Sequence, residues 1–261
     1  MTLIAPHEHE QDWQTWHAQR EADLNTDYGW LTVVAFNWLG PSPAEIPGLP
    51  GKWWTVDGLA HVTAAEGLTA NGEPVVGTTS ASVAEAGSLS WLLYGDKLVE
   101  LVLRGGRYAI RQRDPQAATR TSFAGVPTYP VDPAWVITAH YSPYGQAERV
   151  EVATARADLR QHVTAVGTVH LALGGSAYEL VATAAGEGRL AVSFSDETSG
   201  VETAPWRTVT TGRLQADGSV EVDFNRTINL PFAFTDYGTC PAPVEGNRLA
   251  LPVTAGERQP R

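Results

Sequence analysis

The chain has 261 residues, 43% of them hydrophobic, enough to bury a sizeable core in one large β domain or two small ones. A net charge of −11 with only 18% charged residues disfavours nucleic acid and anionic membrane surfaces as partners, since both call for clustered Lys and Arg. The single cysteine, Cys240, excludes an intrachain disulfide and a cysteine-rich zinc site, and suits a reducing compartment.

Residues Met1 to Glu10 carry no basic stretch followed by an apolar one, and no apolar run approaches the ~20 residues of a membrane helix. A cytoplasmic protein without a membrane partner is the expectation. From His9 to Leu24 the spacing of Trp13, Trp16, Arg20 and Leu24 predicts an amphipathic helix. Trp30 to Leu39 is nearly all apolar and fits either a buried strand or a short core helix. Gly40-Pro41-Ser42-Pro43 and Pro47-Gly48-Leu49-Pro50-Gly51 then bracket a loop.

Beyond Lys52, turn dipeptides punctuate β-prone runs: Asp57-Gly58, Asn71-Gly72, Gly95-Asp96, Gly105-Gly106, Gly174-Gly175 and Asp217-Gly218. Apolar and polar residues alternate in Ser219 to Phe224 and in His170 to Leu173. The pattern predicts a mainly β protein of antiparallel β-sandwich or barrel-like units behind an N-terminal amphipathic helix, with little helix after residue 40. Tyr141 to Gly145 reads as a loop, which suggests three segments: 1–44 with the helix and buried stretch, 45–144 as a first β unit with connector, and 145–261 as a second β unit. Gly186-Glu187-Gly188-Arg189-Leu190-Ala191 mimics a dinucleotide fingerprint, but strand-like residues follow it where a helix is required, so it reads as a hairpin turn.

Three constellations carry candidate chemistry. Arg111 and Arg113 alternate onto one strand face near Arg120, Tyr129 and Asp132; guanidinium groups suit carboxylate or phosphate recognition, or internal ion pairs. Asp196, Thr198, Ser199 and Glu202 cluster before Trp206-Arg207, either bonding their own backbone or forming a polar loop in which Asp196 or Glu202 acts as acid, base or cation ligand. Asp223 and Asn225 share a face opposite Phe224 on an extended strand, and with Thr235, Asn247 and Arg248 they either satisfy buried backbone groups or line a pocket. Cys240 lacks an identified histidine partner. The histidines His7, His9, His17, His61, His140, His162 and His170 are scattered and form no metal-ligand spacing, so neither a metal nor a cofactor is expected. The nine tryptophans read chiefly as core packing.

The segment Asp223-Phe224-Asn225-Arg226, Leu230-Pro231-Phe232-Ala233-Phe234-Thr235, Thr239-Cys240-Pro241 and Asn247-Arg248-Leu249 resembles the C-terminal signature of the DUF1684 family of uncharacterised bacterial and archaeal proteins. Further matching segments include Gly29-Trp30-Leu31, Asn71-Gly72-Glu73-Pro74, Gly105 to Arg111, Tyr129 to Trp135 and Asp196 to Gly200. The resemblance implies membership but no chemistry. Where the family pattern leads one to expect a second cysteine the chain has Phe232, and where it expects proline the chain has Leu230, which argues against a two-thiol metal or redox role.

These residues point first to a protein that binds a small molecule or peptide in a β-lined cleft, with Arg111, Arg113, Arg120, Tyr129, Ser199, Asn225 and Asn247 as contacts. A cofactor-free hydrolase using Asp196, Glu202 or Asp223 in acid–base chemistry is the rival, and a protein-interaction module the third alternative.

Overall fold

The structure, a computed structural model, describes residues 6–260, with side chains from His9 onward. The first five residues and the side chain of His7 therefore lie outside the described part. Helix α1 spans Pro6–Leu24. Its inner face is the expected one: Trp13 and Leu24 are buried, Trp13 donates its indole N–H to the Asn225 carbonyl at 2.8 Å, and Arg20 bonds Glu257 at 3.0 Å. Among the described residues no helix is long and apolar enough to cross a membrane.

The chain forms three antiparallel sheets, none closed into a barrel, in two compact units. One unit comprises Asp23–Phe123 with Thr235–Tyr237. After a 3-10 turn at Trp30–Thr32 come β1 (Val33–Trp38), β2 (Ala44–Ile46), β3 (Leu49–Val56), β4 (Leu59–Thr63), β5 (Leu68–Ala70), β6 (Glu73–Pro74), β7 (Thr78–Ala81), β8 (Ser88–Tyr94), β9 (Lys97–Arg104) and β10 (Arg107–Arg113). The apolar stretch from Trp30 thus divides into a helical turn and a strand. The sheets β1-β10-β9-β8-β5-β6 and β2-β3-β4-β7 face each other as a sandwich. Trp53, Ala60 and Val62 of the smaller sheet pack against Leu92, Val99, Leu101 and Ile110 of the larger. The turn dipeptides act as their chemistry requires: Asp57 and Gly58, and again Asn71 and Gly72, take consecutive positive φ values and close two-residue hairpins.

The other unit comprises residues up to Ala22, Ala124–Phe234 and Gly238 onward. The short helix α2 (Ala118–Thr121) precedes it in the chain. Its single sheet has the order β16-β11-β12-β13-β14-β15-β17, from β11 (Val136–Ala153), β12 (Arg160–Leu173), β13 (Ser176–Gly186), β14 (Arg189–Phe194), β15 (Arg207–Thr210), β16 (Ser219–Asp223) and β17 (Ile228–Asn229). Gly186 to Gly188 makes the β13–β14 hairpin turn. Alternation sends Val169, Leu171, Leu180, Val192, Val220 and Val222 to one face, where Leu249, Val253 and Ala255 of the C-terminal coil cover them. The opposite face carries the polar residues.

Two local expectations are corrected. Tyr141 to Gly145 is not a loop. It stays inside β11, and a bulge between Pro143 and Glu148 absorbs the extra residues against β12. The Tyr141 hydroxyl donates to the Val166 carbonyl at 2.7 Å, and its ring lies where a Cβ on Gly167 would stand only 2.5 Å away, so glycine is required there. Nor does Asp223 lead into an extended Phe224-Asn225: its carboxylate accepts from the Asn225 N–H at 3.0 Å and caps a 3-10 turn over Phe224–Arg226.

Candidate functional site

The arginine strand lies in the sandwich unit. Arg111 and Arg113 do share a face of β10, and both reach Glu100 on β9: Arg111 Nη1 at 3.1 Å, Arg113 Nε and Nη2 at 3.0 and 2.9 Å, all on one carboxylate oxygen. All three side chains are buried. Arg113 also donates to the carbonyls of Tyr28 and Gly29, and the Trp30 ring lies 4.8 and 4.9 Å from the two guanidinium carbons. Burial pushes the Glu100 carboxyl up, but the charges and hydrogen bonds of Arg111 and Arg113 outweigh it and hold the group below its ordinary range. Burial lowers the Arg111 guanidinium, with Glu100 opposing. Arg120 sits apart from this cluster, bonding Asp27 at 2.6 Å and the Pro115 carbonyl at 2.9 Å at the end of α2.

Of the remaining candidates, Thr235 belongs to the sandwich unit, where its hydroxyl donates to the Val33 carbonyl at 3.2 Å, and the others lie in the single-sheet unit. Asp196 and Arg207 form an ion pair at 3.0 Å with both side chains fully buried. The second Asp196 oxygen accepts from the Thr198 N–H and hydroxyl at 2.7 and 2.6 Å, while the Asp196 N–H donates to the Ser199 hydroxyl. Nη1 and Nη2 of Arg207 also donate to the carbonyls of Val253, Ala255 and Glu257, while the buried Nε has no hydrogen-bond partner. Burial lowers its guanidinium and Asp196 opposes. Glu202 leaves this interior: its carboxylate accepts from the Tyr129 hydroxyl at 3.1 Å and meets Arg258 at 3.6 Å, half-exposed. Burial raises the Tyr129 hydroxyl, and Glu202 adds to the effect.

Asn225 accepts from the Asp132 N–H and donates to the Asp132 carbonyl, both at 3.0 Å, so its amide serves that backbone as a strand would. Asn247 does the same between β13 and β14, with Val181 N–H at 2.8 Å and the carbonyls of Val181 and Ser193 at 2.9 and 2.8 Å. The register of these strands ends at Thr183 and Ala191, and the Asn247 amide fills the gap beyond. Asp223 also contacts His9 at 3.1 Å and Arg226 at 3.3 Å. Within this unit, then, the fold brings together Asp196 with Ser199, Tyr129 with Glu202, and Asp223 with Asn225; Arg111, Arg113 and Arg120 belong to the other unit.

The open face of the single sheet holds a groove of about 430 Å³, in the range that takes a small ligand. Its floor is a transverse row on four neighbouring strands. Ser219 on β16 stands opposite His140 on β11, His140 opposite His170 on β12, and His170 opposite Glu179 on β13. Thr138 and Ala172 extend it along the strands. His170 Nδ1 lies 3.4 Å from the Glu179 carboxylate. A second depression, about 520 Å³ in the sandwich unit, is lined by residues 45–51 alone and offers one ionisable side chain, Glu45.

A family model described as "Protein of unknown function (DUF1684)" matches residues 121–258, more than half of the chain. The chain belongs to the DUF1684 family. A solved structure, the solution NMR structure of the uncharacterized protein from gene locus rrnAC0354 of Haloarcula marismortui, is similar: 29% identical, covering 53% of this chain and 78% of that one, with a TM-score of 0.45. No curated protein matches the chain.

The DUF1684 match begins within α2 and takes in the whole sheet from β11 to β17 and the C-terminal coil, whereas Arg111 and Arg113 precede it. At the position where the resemblance suggests cysteine, Phe232 packs against Trp206 with ring centroids 4.1 Å apart and the planes tilted by 30°. Cys240 is buried. Of the groove residues of this DUF1684 protein, the sequence offers His140 and His170 only among scattered histidines without metal-ligand spacing, and Glu179 and Ser219 not at all. His140 and His170 alternate with buried neighbours, which marks a solvent-facing side, but no spacing reveals that residues 140, 170, 179 and 219 become neighbours.

Proposed function

We propose that this DUF1684 protein is a binding protein whose ligand, a neutral or cationic small molecule or short peptide, lies across the open face of the single sheet. The observation that carries this reading is the groove with its Ser219-His140-His170-Glu179 floor. Imidazole and hydroxyl groups there are presented to solvent on a rigid sheet and can donate or accept hydrogen bonds. Glu179 in the groove, Asp217 bonded to the Ser219 N–H and Glu221 opposite Thr138, in a chain of net charge −11, favour a ligand that is not anionic. In this reading Arg111, Arg113, Asp196 and Asn247 frame the fold rather than touch the ligand, and the half-exposed Tyr129–Glu202 pair is a second candidate contact.

Thermal-shift screening of the full chain against amines, amino acids, nucleosides and short peptides tests the proposal, with Ala172→Trp as the variant that fills the groove from an exposed position. Ligands that stabilise the protein and lose their effect in the variant support it. Stabilisation that the variant leaves intact, or a screen without a stabilising compound, overturns it.

A further inference from the structure

We infer that His140 and His170 bind a divalent transition-metal ion of the zinc, nickel or copper class at the floor of this groove. The inference rests on the reading of the groove as the ligand site. Facing residues on antiparallel strands hold their Cβ atoms about 4.5–5.5 Å apart. From that separation two imidazoles can reach one ion at about 2.0–2.1 Å. His140 and His170 are such a facing pair, and both belong to the solvent-facing side of the sheet.

Each ring has a defined seat. Glu179, facing His170 on the next strand, lies 3.4 Å from Nδ1, where its carboxylate can accept from an Nδ1–H, the arrangement that leaves Nε2 for a metal. His140 leans over Gly218: a Cβ built there would come within 2.7 Å of ring Cε1 and 3.2 Å of Nδ1, so the bare glycine turn, at φ +81°, leaves the imidazole room on the β16 side, and the ring turns from there toward β12 to share an ion with His170. Glu179, Asp217 and Glu221 around the groove all favour a cation.

Among the described residues no three His, Cys, Asp or Glu side chains gather to hold a metal. The site therefore offers two protein nitrogens, and its remaining positions belong to water or to a donor atom of the groove's ligand. A two-nitrogen site is not a folding element, unlike a four-ligand structural zinc. The ion would extend the range of ligands to those with their own carboxylate, amine or thiolate donor. The sequence spacing hides the pair because 30 positions separate the two residues along one hairpin, and only the register across the β11 bulge brings them opposite each other.

The test uses the tag-free full chain. Titration calorimetry with nickel, zinc and copper chlorides is paired with nuclear magnetic resonance mapping of the amides that copper broadens. The expected result is one equivalent bound, broadening centred on residues 138–142, 168–172 and 217–220, and at least a tenfold weaker affinity in both His140→Gln and His170→Gln. His162→Gln, elsewhere on β12, should bind as the parent does. Absence of binding, broadening centred elsewhere, or unchanged affinity in the double variant His140→Gln/His170→Gln overturns the inference. The two readings fail separately: loss of metal binding with organic ligands still blocked by Ala172→Trp removes only the metal, and metal binding with organic ligands indifferent to Ala172→Trp removes only the groove as their site.

Discussion

Both units bury arginine against a sheet, and they do so in opposite ways. In the sandwich unit two guanidinium groups, Arg111 and Arg113, share one carboxylate, Glu100, and the excess charge is met by the Trp30 ring and the carbonyls of Tyr28 and Gly29. In the single-sheet unit one guanidinium, Arg207, has its own carboxylate, Asp196, and then collects three carbonyls of the C-terminal coil. The coil has little regular strand to pair with, so side chains do what a neighbouring strand would do. Asn225, Asn247 and Glu257 repeat the device: Glu257 accepts from the Asn229 N–H at 2.6 Å and from Arg20. The polar density of the family signature is thus largely explained by backbone groups that need partners.

This difference predicts which carboxylate matters more. Asp196→Ala should be the most damaging change, costing about 3–5 kcal/mol, because it leaves Arg207 buried without a counter-ion and also removes the cap on Thr198. Denaturant unfolding followed by tryptophan fluorescence reads the loss, and a cost below about 1 kcal/mol would show that the carbonyls alone hold Arg207.

Glu100→Gln comes next, at about 3 kcal/mol, since an aromatic face and two carbonyls still serve the arginines. Arg111→Met should cost no more than about 1 kcal/mol, because Glu100 keeps Arg113 and the replacement packs on Trp30. Equal costs for the two substitutions would remove the asymmetry argued above. The Glu100 carboxyl is held low in the folded state, so its contribution is complete above the ordinary glutamate value, about 4.3, and disappears as pH falls through the lower folded value. Parent and Glu100→Gln stabilities should therefore converge only below that range, in acid titrations of the unfolding free energy.

The smallest effect is expected at Arg120, whose partner Asp27 is mostly exposed. Arg120→Ala should cost about 1 kcal/mol or less, read in the same unfolding experiment, and a larger loss would make it a third buried-type arginine.

Much of the architecture was legible in the sequence, because it depends on local rules. Two-residue turns need positive φ, so Asp57-Gly58 and Asn71-Gly72 announce hairpins. Alternation over Ser219 to Val222 and His170 to Leu173 distinguishes a covered from an open face. Trp13 and Leu24 mark the inner side of the helix. The same local rules misread Tyr141 to Gly145, since Pro143 and Gly145 look like a loop until a bulge keeps them in a strand. Proximity along the chain joins Asp196 with Ser199 and Asp223 with Asn225, and both pairs are in contact. It also set Arg111 and Arg113 beside Tyr129, which folds into the other unit. What the sequence determined by itself is periodicity, turn chemistry and charge, all properties of neighbours within a few residues. Strand order, register and the choice of buried counter-ion were decided only in the tertiary structure, because they pair residues tens of positions apart: Glu100 with two arginines, Asn247 with β13 and β14, and His140 with His170.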